Sequence, residues 1–172
     1  GYNYFYFDIS NYLNSNTKNS IAVQLSNLGL SSRWYPGAGL YRNVRVIIKN
    51  KNSIDQWGTF ITTPLVTDQL AKVNIKVNVS GSNLTLKTKV IDNKGVEVTD
   101  LTTDQQIANT FDFNIEITNP KLWDIESPNL YTAVSEIYKN GILQDVDSTR
   151  FGIREIKYES DKGFSLNGKI TK

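Results

Sequence analysis

The segment from Ser31 to Val44 carries the side chains best suited to binding a ligand, in the order Ser-Ser-Arg-Trp-Tyr-Pro-Gly-Ala-Gly-Leu-Tyr-Arg-Asn-Val. Arg33 offers a rigid fork of hydrogen-bond donors, and the adjacent Trp34 offers a ring face for stacking. Pro36 and the two glycines shape the backbone into a loop that enters a strand. Arg33 and Trp34 are therefore the candidate binding residues. The alternative, and the commoner outcome, is a structural ion pair for Arg33 and core packing for Trp34. Arg42 is expected to be structural, because it lies just before a strand.

Other side chains along the chain also have types and spacings that suit chemistry. Asp145 and Asp147 are two residues apart, so on a strand they share one face, as a cation site or an acid pair would require. Solvation at the surface is the commoner outcome for such a pair. Trp123 lies in a loop bounded by prolines, where we expect a loop anchor rather than a stacking platform. Arg150 and Arg154 flank Phe-Gly at a domain junction, and interdomain ion pairs are expected there.

The sequence lacks the residues that many enzyme sites need. It contains no His and no Cys, which removes the commonest general base, thiolate nucleophiles, zinc–thiolate sites and disulfides. The 19 Lys and Arg against 17 Asp and Glu leave a net charge of +2 without a long block of one sign. A nucleic-acid partner is therefore not expected, nor is a metal, a cofactor or a membrane span. The compartment stays open, with the periplasm or the extracellular space slightly favoured over the cytoplasm.

Apolar residues alternate with polar ones along most of the chain, which indicates antiparallel strands buried on one face. Residues 71–79 and 111–117 alternate without a break. Asn140-Gly141 is typical of tight type I′ hairpin turns, and Asn167-Gly168 repeats it. From Thr59 to Gly152 we predict roughly seven short strands, as in a β-sandwich, and no helix. The predicted interior residues are Val73, Ile75, Val77, Leu86, Phe113, Ile115 and Ile117.

The first fifty residues are organised differently from the rest. Strand candidates at 2–7, 21–25 and 44–48 are joined by longer loops rich in Ser, Asn and Gly. Three strands do not make a closed sandwich, so we expect the last portion of a larger β-domain. The aromatic residues of 2–7 are expected to pack in a strand that is buried on both faces. The chain has no Met, and we expect it to be part of a longer protein.

Three segments resemble, in the same order, parts of glycoside hydrolase family 2 enzymes of the β-galactosidase and β-glucuronidase type. The loop 31–44 is similar to the signature of the family's sugar-binding domain. Residues 119–131 resemble a loop of its immunoglobulin-like domain. Residues 150–154 together with 163–169 resemble the entry into its catalytic barrel. The resemblance covers essentially the whole chain.

The resemblance implies an all-β chain, with an immunoglobulin-like antiparallel β-sandwich preceded by the C-terminal part of a jelly-roll-like sugar-binding β-domain. The implied domains are the sugar-binding part at 1–50, the sandwich at 51–153, and a connector with the start of the catalytic barrel at 154–172. It also implies a retaining glycosidase whose acid/base and nucleophile are barrel glutamates, the acid/base following an Asn. The sequence has no Asn-Glu dipeptide. We therefore expect no catalytic residue here and no activity of the chain alone.

The family resemblance gives Arg33 and Trp34 a substrate-binding role, because the corresponding loop can line the subsite at the mouth of the barrel. The implied partners are a carbohydrate substrate, bound by the full-length enzyme, and the catalytic barrel of the same chain, with homo-oligomer contacts as a further option. Two other functions stay open. The chain could be an independent carbohydrate-binding module, or a structural immunoglobulin-like module with no ligand site.

Overall fold

The computed structural model describes residues 4–26, 39–104, 106 and 108–170. The chain forms two compact units, Gly1–Val46 and Ile47–Lys172. In the described part of the first unit, the regular structure is limited to one turn of 3₁₀ helix at Ser10–Tyr12. Among all the described residues, no helix has the length and apolar character needed to cross a bilayer.

The strands predicted at 2–7, 21–25 and 44–48 are absent wherever those segments are described, so this prediction is wrong. Tyr4 to Phe7 are 63–77% exposed, so the expectation that they pack in a strand buried on both faces is also wrong. Sequence alternation favours a strand, but a strand persists only where a neighbour takes up its backbone hydrogen bonds. The described residues of the first unit form no such neighbour.

The second unit contains ten strands within the described residues. Their bounds are β1 Ser53–Val66, β2 Leu70–Ser80, β3 Thr85–Ile91, β4 Glu97–Thr103, β5 Thr110–Thr118, β6 Tyr131–Lys139, β7 Ile142–Phe151, β8 Ile156–Glu159, β9 Gly163–Leu166 and β10 Lys169–Ile170. The first seven match the seven short strands predicted from the sequence.

Two antiparallel sheets face each other across one core. The order is β1-β2-β5 in one sheet and β4-β3-β6-β7 in the other. Within the first sheet, β2 pairs with β5 over nine successive residues, with Ile75 opposite Phe113. β4 pairs with β3, in the four-stranded sheet, and not with β5. Three strands in one sheet and four in the other give an immunoglobulin-like sandwich. The all-β, antiparallel fold predicted from the sequence is confirmed.

The core consists of the inward-facing residues of both sheets. The predicted interior residues Val73, Ile75, Val77, Leu86, Ile115 and Ile117 are all buried, and Phe113 is half-buried against the same cluster. Their register is therefore correct, since a slip of one residue would have turned every one of these side chains outward. Phe111 and Ile137, which are also fully buried, complete the centre of the core.

A third, smaller sheet follows the sandwich in the order β8-β9-β10. Its last hairpin turns at Asn167 and Gly168, with φ values of 50° and 75°. The hairpin β6–β7 turns in the same way at Asn140 and Gly141, with φ values of 51° and 77°. Positive φ at both central residues defines a type I′ turn, so both turn predictions are confirmed.

Candidate functional site

Arg33 and Trp34 lie outside the described residues, so their binding role stays a prediction. The end of the same loop is described. Arg42 has a φ of 72°, and its guanidinium carbon lies 5.4 Å from the centre of the Tyr41 ring. This local stacking of a cation on an aromatic ring agrees with the structural role expected of Arg42.

Asp145 and Asp147 join the two sheets of the sandwich. Asp145 accepts a hydrogen bond of 3.0 Å from the backbone N–H of Ile54 and lies 3.4 Å from Lys49 Nζ. Asp147 accepts a hydrogen bond of 2.9 Å from the hydroxyl of Thr59. Because β1 and β7 are edge strands of different sheets, carboxylates that point inward between them tie the sheets together. The surface solvation that we expected is therefore wrong, because both carboxylates have protein donors.

Trp123 anchors its loop to the end of β7. Its backbone N–H donates to the carbonyl of Ile153 over 2.8 Å, and the guanidinium carbon of Arg154 lies 4.8 Å from the centre of its ring. Gly152 approaches so closely that a Cβ there would lie 2.8 Å from Trp123 Cβ. A ring covered on one face by Arg154 and packed at its base against the backbone suits an anchor better than a stacking platform. Asn167 completes this group, because its side-chain Nδ2 donates to the carbonyl of Trp123 over 3.0 Å.

We call Trp123, Gly152, Arg154 and Asn167 the Trp123 junction. Arg150 and Arg154 form no ion pair among the described residues, and the interdomain ion pairs expected for them stay a prediction, because most of the neighbouring domain lies outside this chain. The nearest acid in sequence, Glu155, is already paired with Lys157 at 2.8 Å. Arg154 stacks on the indole instead.

The loop that carries Trp123 is held at its other end by a charge pair. Lys121 Nζ lies 2.7 Å from the carboxylate of Asp92, in the turn between β3 and β4. The same carboxylate accepts hydrogen bonds from the backbone N–H groups of Val96 and Lys94. The Lys121 ammonium, followed by the N–H of Val96, lowers the pKa of Asp92 to about 2. This carboxylate is therefore a fixed anion that joins the turn to the loop.

Two shallow depressions lie on the second unit. One, of about 160 Å³, is on the outer face of the four-stranded sheet, beside Lys87, Lys89 and Glu136. The other, of about 280 Å³, lies between Gln69 and the turn at Asn167. Both are smaller than the roughly 300–1,000 Å³ of typical small-molecule sites. Among the described residues, no group of three acidic side chains is placed to hold a metal ion.

The second unit is an immunoglobulin-like β-sandwich in which Asp145, Asp147, Asp92 and Asn167 join separate elements. The family described as Glycosyl hydrolases family 2 matches residues 52–154, which is more than half of the chain. The chain belongs to this family. The resemblance read from the three sequence segments is thereby confirmed.

Relatives of the chain are glycosidases that are much longer. The chain is 32% identical to the β-galactosidase BoGH2A of Bacteroides ovatus, with all of this chain aligned to 21% of that protein. It is 35% identical to a putative β-glucuronidase of Formosa agariphila, again over its whole length but over 17% of that protein. The chain thus spans about a fifth of these relatives.

Solved structures of the same family share the fold. A family 2 member from Bacteroides cellulosilyticus superposes with a TM-score of 0.63 at 27% identity, covering 72% of this chain and 17% of that one. The β-glucuronidase of Bifidobacterium dentium, solved in complex with coumarin-3-O-glucuronide, gives a TM-score of 0.64 at 25% identity. That match covers 70% of this chain and 21% of the β-glucuronidase chain.

Two members of the Trp123 junction were missed by the sequence reasoning. In the sequence, Gly152 stands out only as part of a Phe-Gly pair, and Asn167 only as a turn residue. The Asn-Gly dipeptide explains the positive φ of Asn167, but nothing local indicates that its side chain reaches Trp123, 44 residues away. The one available signal was that both residues lie in segments that resemble the same family.

Proposed function

We propose that this chain is a non-catalytic part of a retaining glycoside hydrolase of the β-galactosidase or β-glucuronidase type. The observation that carries the proposal is the family match over residues 52–154, within a chain that aligns end to end with about a fifth of such enzymes. The full-length enzyme would hydrolyse O-glycosidic bonds. The catalytic acid/base and nucleophile would lie in the part of the enzyme outside this chain.

The task of the sandwich in such an enzyme is to hold other parts of the protein in place. This role is supported by several polar side chains of the sandwich, which form bonds that join its separate elements. Asp145 and Asp147 link the two sheets, and Asp92 links a turn to the Trp123 loop. Arg33 and Trp34 are proposed to contact the carbohydrate from the rim of the active site in the full-length enzyme.

The first test is activity of the purified chain on aryl β-galactosides and aryl β-glucuronides, with a full-length family 2 β-galactosidase as the positive control. We expect no hydrolysis above buffer, because the chain carries neither glutamate of the retaining pair. Turnover that survives repurification, and that is lost when one of the chain's own acids is mutated, would overturn the proposal.

A second candidate function is an independent carbohydrate-binding module. It is favoured by the exposed Phe5 and Phe7, whose ring centres lie 5.6 Å apart, since exposed aromatic rings can stack on sugars. Calorimetric titration of the same preparation with galactosides separates the two functions. Saturable binding supports the module, and silence supports the positioning role.

A further inference from the structure

The small sheet β8-β9-β10 is attached to the sandwich at a few defined points. The chain leaves β7 at Phe151 and enters β8 at Ile156, so four residues, 152–155, form the connection. On the sandwich side, the hydroxyl of Thr63 in β1 donates to the carbonyl of Arg154 over 3.1 Å. A further set of hydrogen bonds converges on Asn167, in the turn between β9 and β10.

Asn167 forms these hydrogen bonds with its backbone N–H and with both polar atoms of its side chain, Oδ1 and Nδ2. Its backbone N–H donates to the carbonyl of Glu155 over 2.9 Å, and its Oδ1 accepts from the N–H of Glu155 over 3.0 Å. Its Nδ2 donates to the carbonyl of Trp123 over 3.0 Å. One side chain therefore connects the last hairpin both to the connection 152–155 and to the Trp123 loop.

Trp123 is a firm point of attachment because it is itself held on several sides. Its N–H is bonded to the carbonyl of Ile153, its Cβ and Cγ meet Gly152, and its ring is covered by Arg154. The loop that carries Trp123 is also closed on itself, because the Asn129 side chain donates a hydrogen bond of 3.0 Å to the carbonyl of Leu122. The Trp123 carbonyl is therefore fixed relative to the sandwich, and a group that donates to it is held relative to the sandwich as well.

The other Asn-Gly hairpin of the chain shows that the turn does not by itself require these bonds. Asn140 has the same backbone conformation as Asn167, with φ values of 51° and 50°. Asn140 is exposed, and among the described residues its side chain has no hydrogen-bond partner. A type I′ turn accounts for Asn at both positions, but it does not account for the two side-chain bonds of Asn167.

We propose that Asn167 is a positioning residue that, through Trp123, fixes the β8-β9-β10 sheet in one orientation on the sandwich. The inference goes beyond the proposed function, because it concerns how two parts of this chain are aligned and holds whether or not the full-length protein is a glycosidase. Without the Asn167 side chain, the sheet keeps its own hairpins, and the bonds that hold Ile153 and Arg154 to the sandwich remain. Beyond Glu155, however, the sheet no longer keeps a single orientation relative to the sandwich.

The test compares Asn167→Gly with Asn140→Gly in the full chain. Glycine keeps the positive φ that each turn needs, so the two variants differ only in the side-chain bonds that are lost. Residual dipolar couplings of backbone amides report the orientation of each sheet. We expect one common alignment for β2, β6 and residues 156–170 in the wild type and in Asn140→Gly. In Asn167→Gly we expect that common alignment to be lost for residues 156–170 alone.

A second variant, Asn167→Asp, separates the two side-chain bonds. Aspartate keeps the Oδ1 that accepts from Glu155 but removes the donor to Trp123, so we expect it to lose the common alignment as well. Amide hydrogen exchange of β2 and β6 checks that the sandwich stays folded. The proposal is overturned if residues 156–170 keep the sandwich's alignment in either Asn167→Gly or Asn167→Asp. It is also overturned if protection falls equally in β2, β6 and β8–β10, because Asn167 would then stabilise the whole unit rather than orient one part.

Discussion

Gly152 lies just after β7, where the indole of Trp123 meets the backbone. The space that a side chain would need there is filled by Cβ and Cγ of Trp123, at 2.8 and 2.9 Å from the position of a Cβ. These atoms form the base of the tryptophan side chain and not a flexible tip, so they move only if the loop moves with them. At the scale of the residue, Trp123 can anchor its loop because glycine has no Cβ at position 152.

We therefore expect Gly152→Ala to destabilise the second unit by about 1–3 kcal/mol, the usual cost of overpacking a filled site. Urea unfolding followed by circular dichroism measures the change. Gly39→Ala is the matched control, because a Cβ at Gly39 meets nothing within 4 Å. We expect the control to change the free energy of unfolding by less than about 0.5 kcal/mol. Equal effects of the two substitutions would show that the contact with Trp123 carries no energy.

At the scale of the element, β2 and β1 differ in how well their side-chain alternation predicts their pairing with neighbouring strands. β2 has a neighbour on each side, and its alternation continues without interruption into the pairing with β5. β1 has two register irregularities, between Ile54 and Thr59 and between Thr62 and Leu65. Trp57, inside the first irregularity, has a φ of 54°, which is rare for a bulky residue. Such bulges shape an edge strand, and the period of its side chains gives no sign of them.

The turn between β3 and β4 gives a pH-dependent prediction for Asp92→Asn. The pKa of Asp92 is lowered to about 2 in the folded state, against about 3.9 in an unfolded chain. Its charge therefore stabilises the fold fully above about pH 4, and this stabilisation is lost as the pH falls through about 2. We expect Asp92→Asn to be less stable than the wild type at pH 7, with a difference that closes between about pH 4 and pH 2.

Urea unfolding at a series of pH values measures this difference. Lys121→Met is the companion variant, because the Lys121 ammonium is the largest cause of the lowered pKa of Asp92. It should reproduce part of the loss at pH 7. A gap between Asp92→Asn and the wild type that stays constant from pH 7 to pH 2 would contradict the assignment.

At the scale of the whole molecule, the two units differ in how they bury apolar surface. Every fully buried hydrophobic side chain among the described residues belongs to the second unit, from Ile54 to Leu166. In the first unit the described aromatic and aliphatic side chains are exposed, including Tyr12 and Ile21, except for the half-buried Ile9. Among the described residues, the hydrophobic free energy is therefore concentrated in the second unit.

This difference predicts that residues 47–172 fold without residues 1–46. We expect the shortened chain to unfold cooperatively in urea, with the midpoint of the sandwich transition in the full chain, because no core residue is removed. Circular dichroism and hydrogen exchange of β2 and β6 provide the measurement. A non-cooperative transition, or a midpoint lowered well beyond experimental error, would show that the first unit supplies stability that its exposed side chains do not indicate.

Much of the sandwich was predictable because its strands and turns are specified by residues that are close together in the sequence. Alternation over 71–79 and 111–117 predicted the strands and the face of each that is buried, and the two Asn-Gly pairs predicted both type I′ turns. The candidate site was predictable only in part. The spacing of Asp145 and Asp147 placed them on one face of a strand, but it gave no information on what they would bond. Strands were also predicted at 2–7, 21–25 and 44–48, and none of them is present where these segments are described.

The sequence by itself determined the period of the strands, the conformation of the turns and the family. Each of these depends on residues that are close together along the chain or on a resemblance of whole segments. Only the tertiary structure decided that Asp145 would accept from Ile54, 91 residues away, and that Asn167 would donate to Trp123, 44 residues away. The physical reason is that side-chain period specifies which face of a strand is buried, whereas the partners at a sheet edge or a loop depend on how distant elements pack.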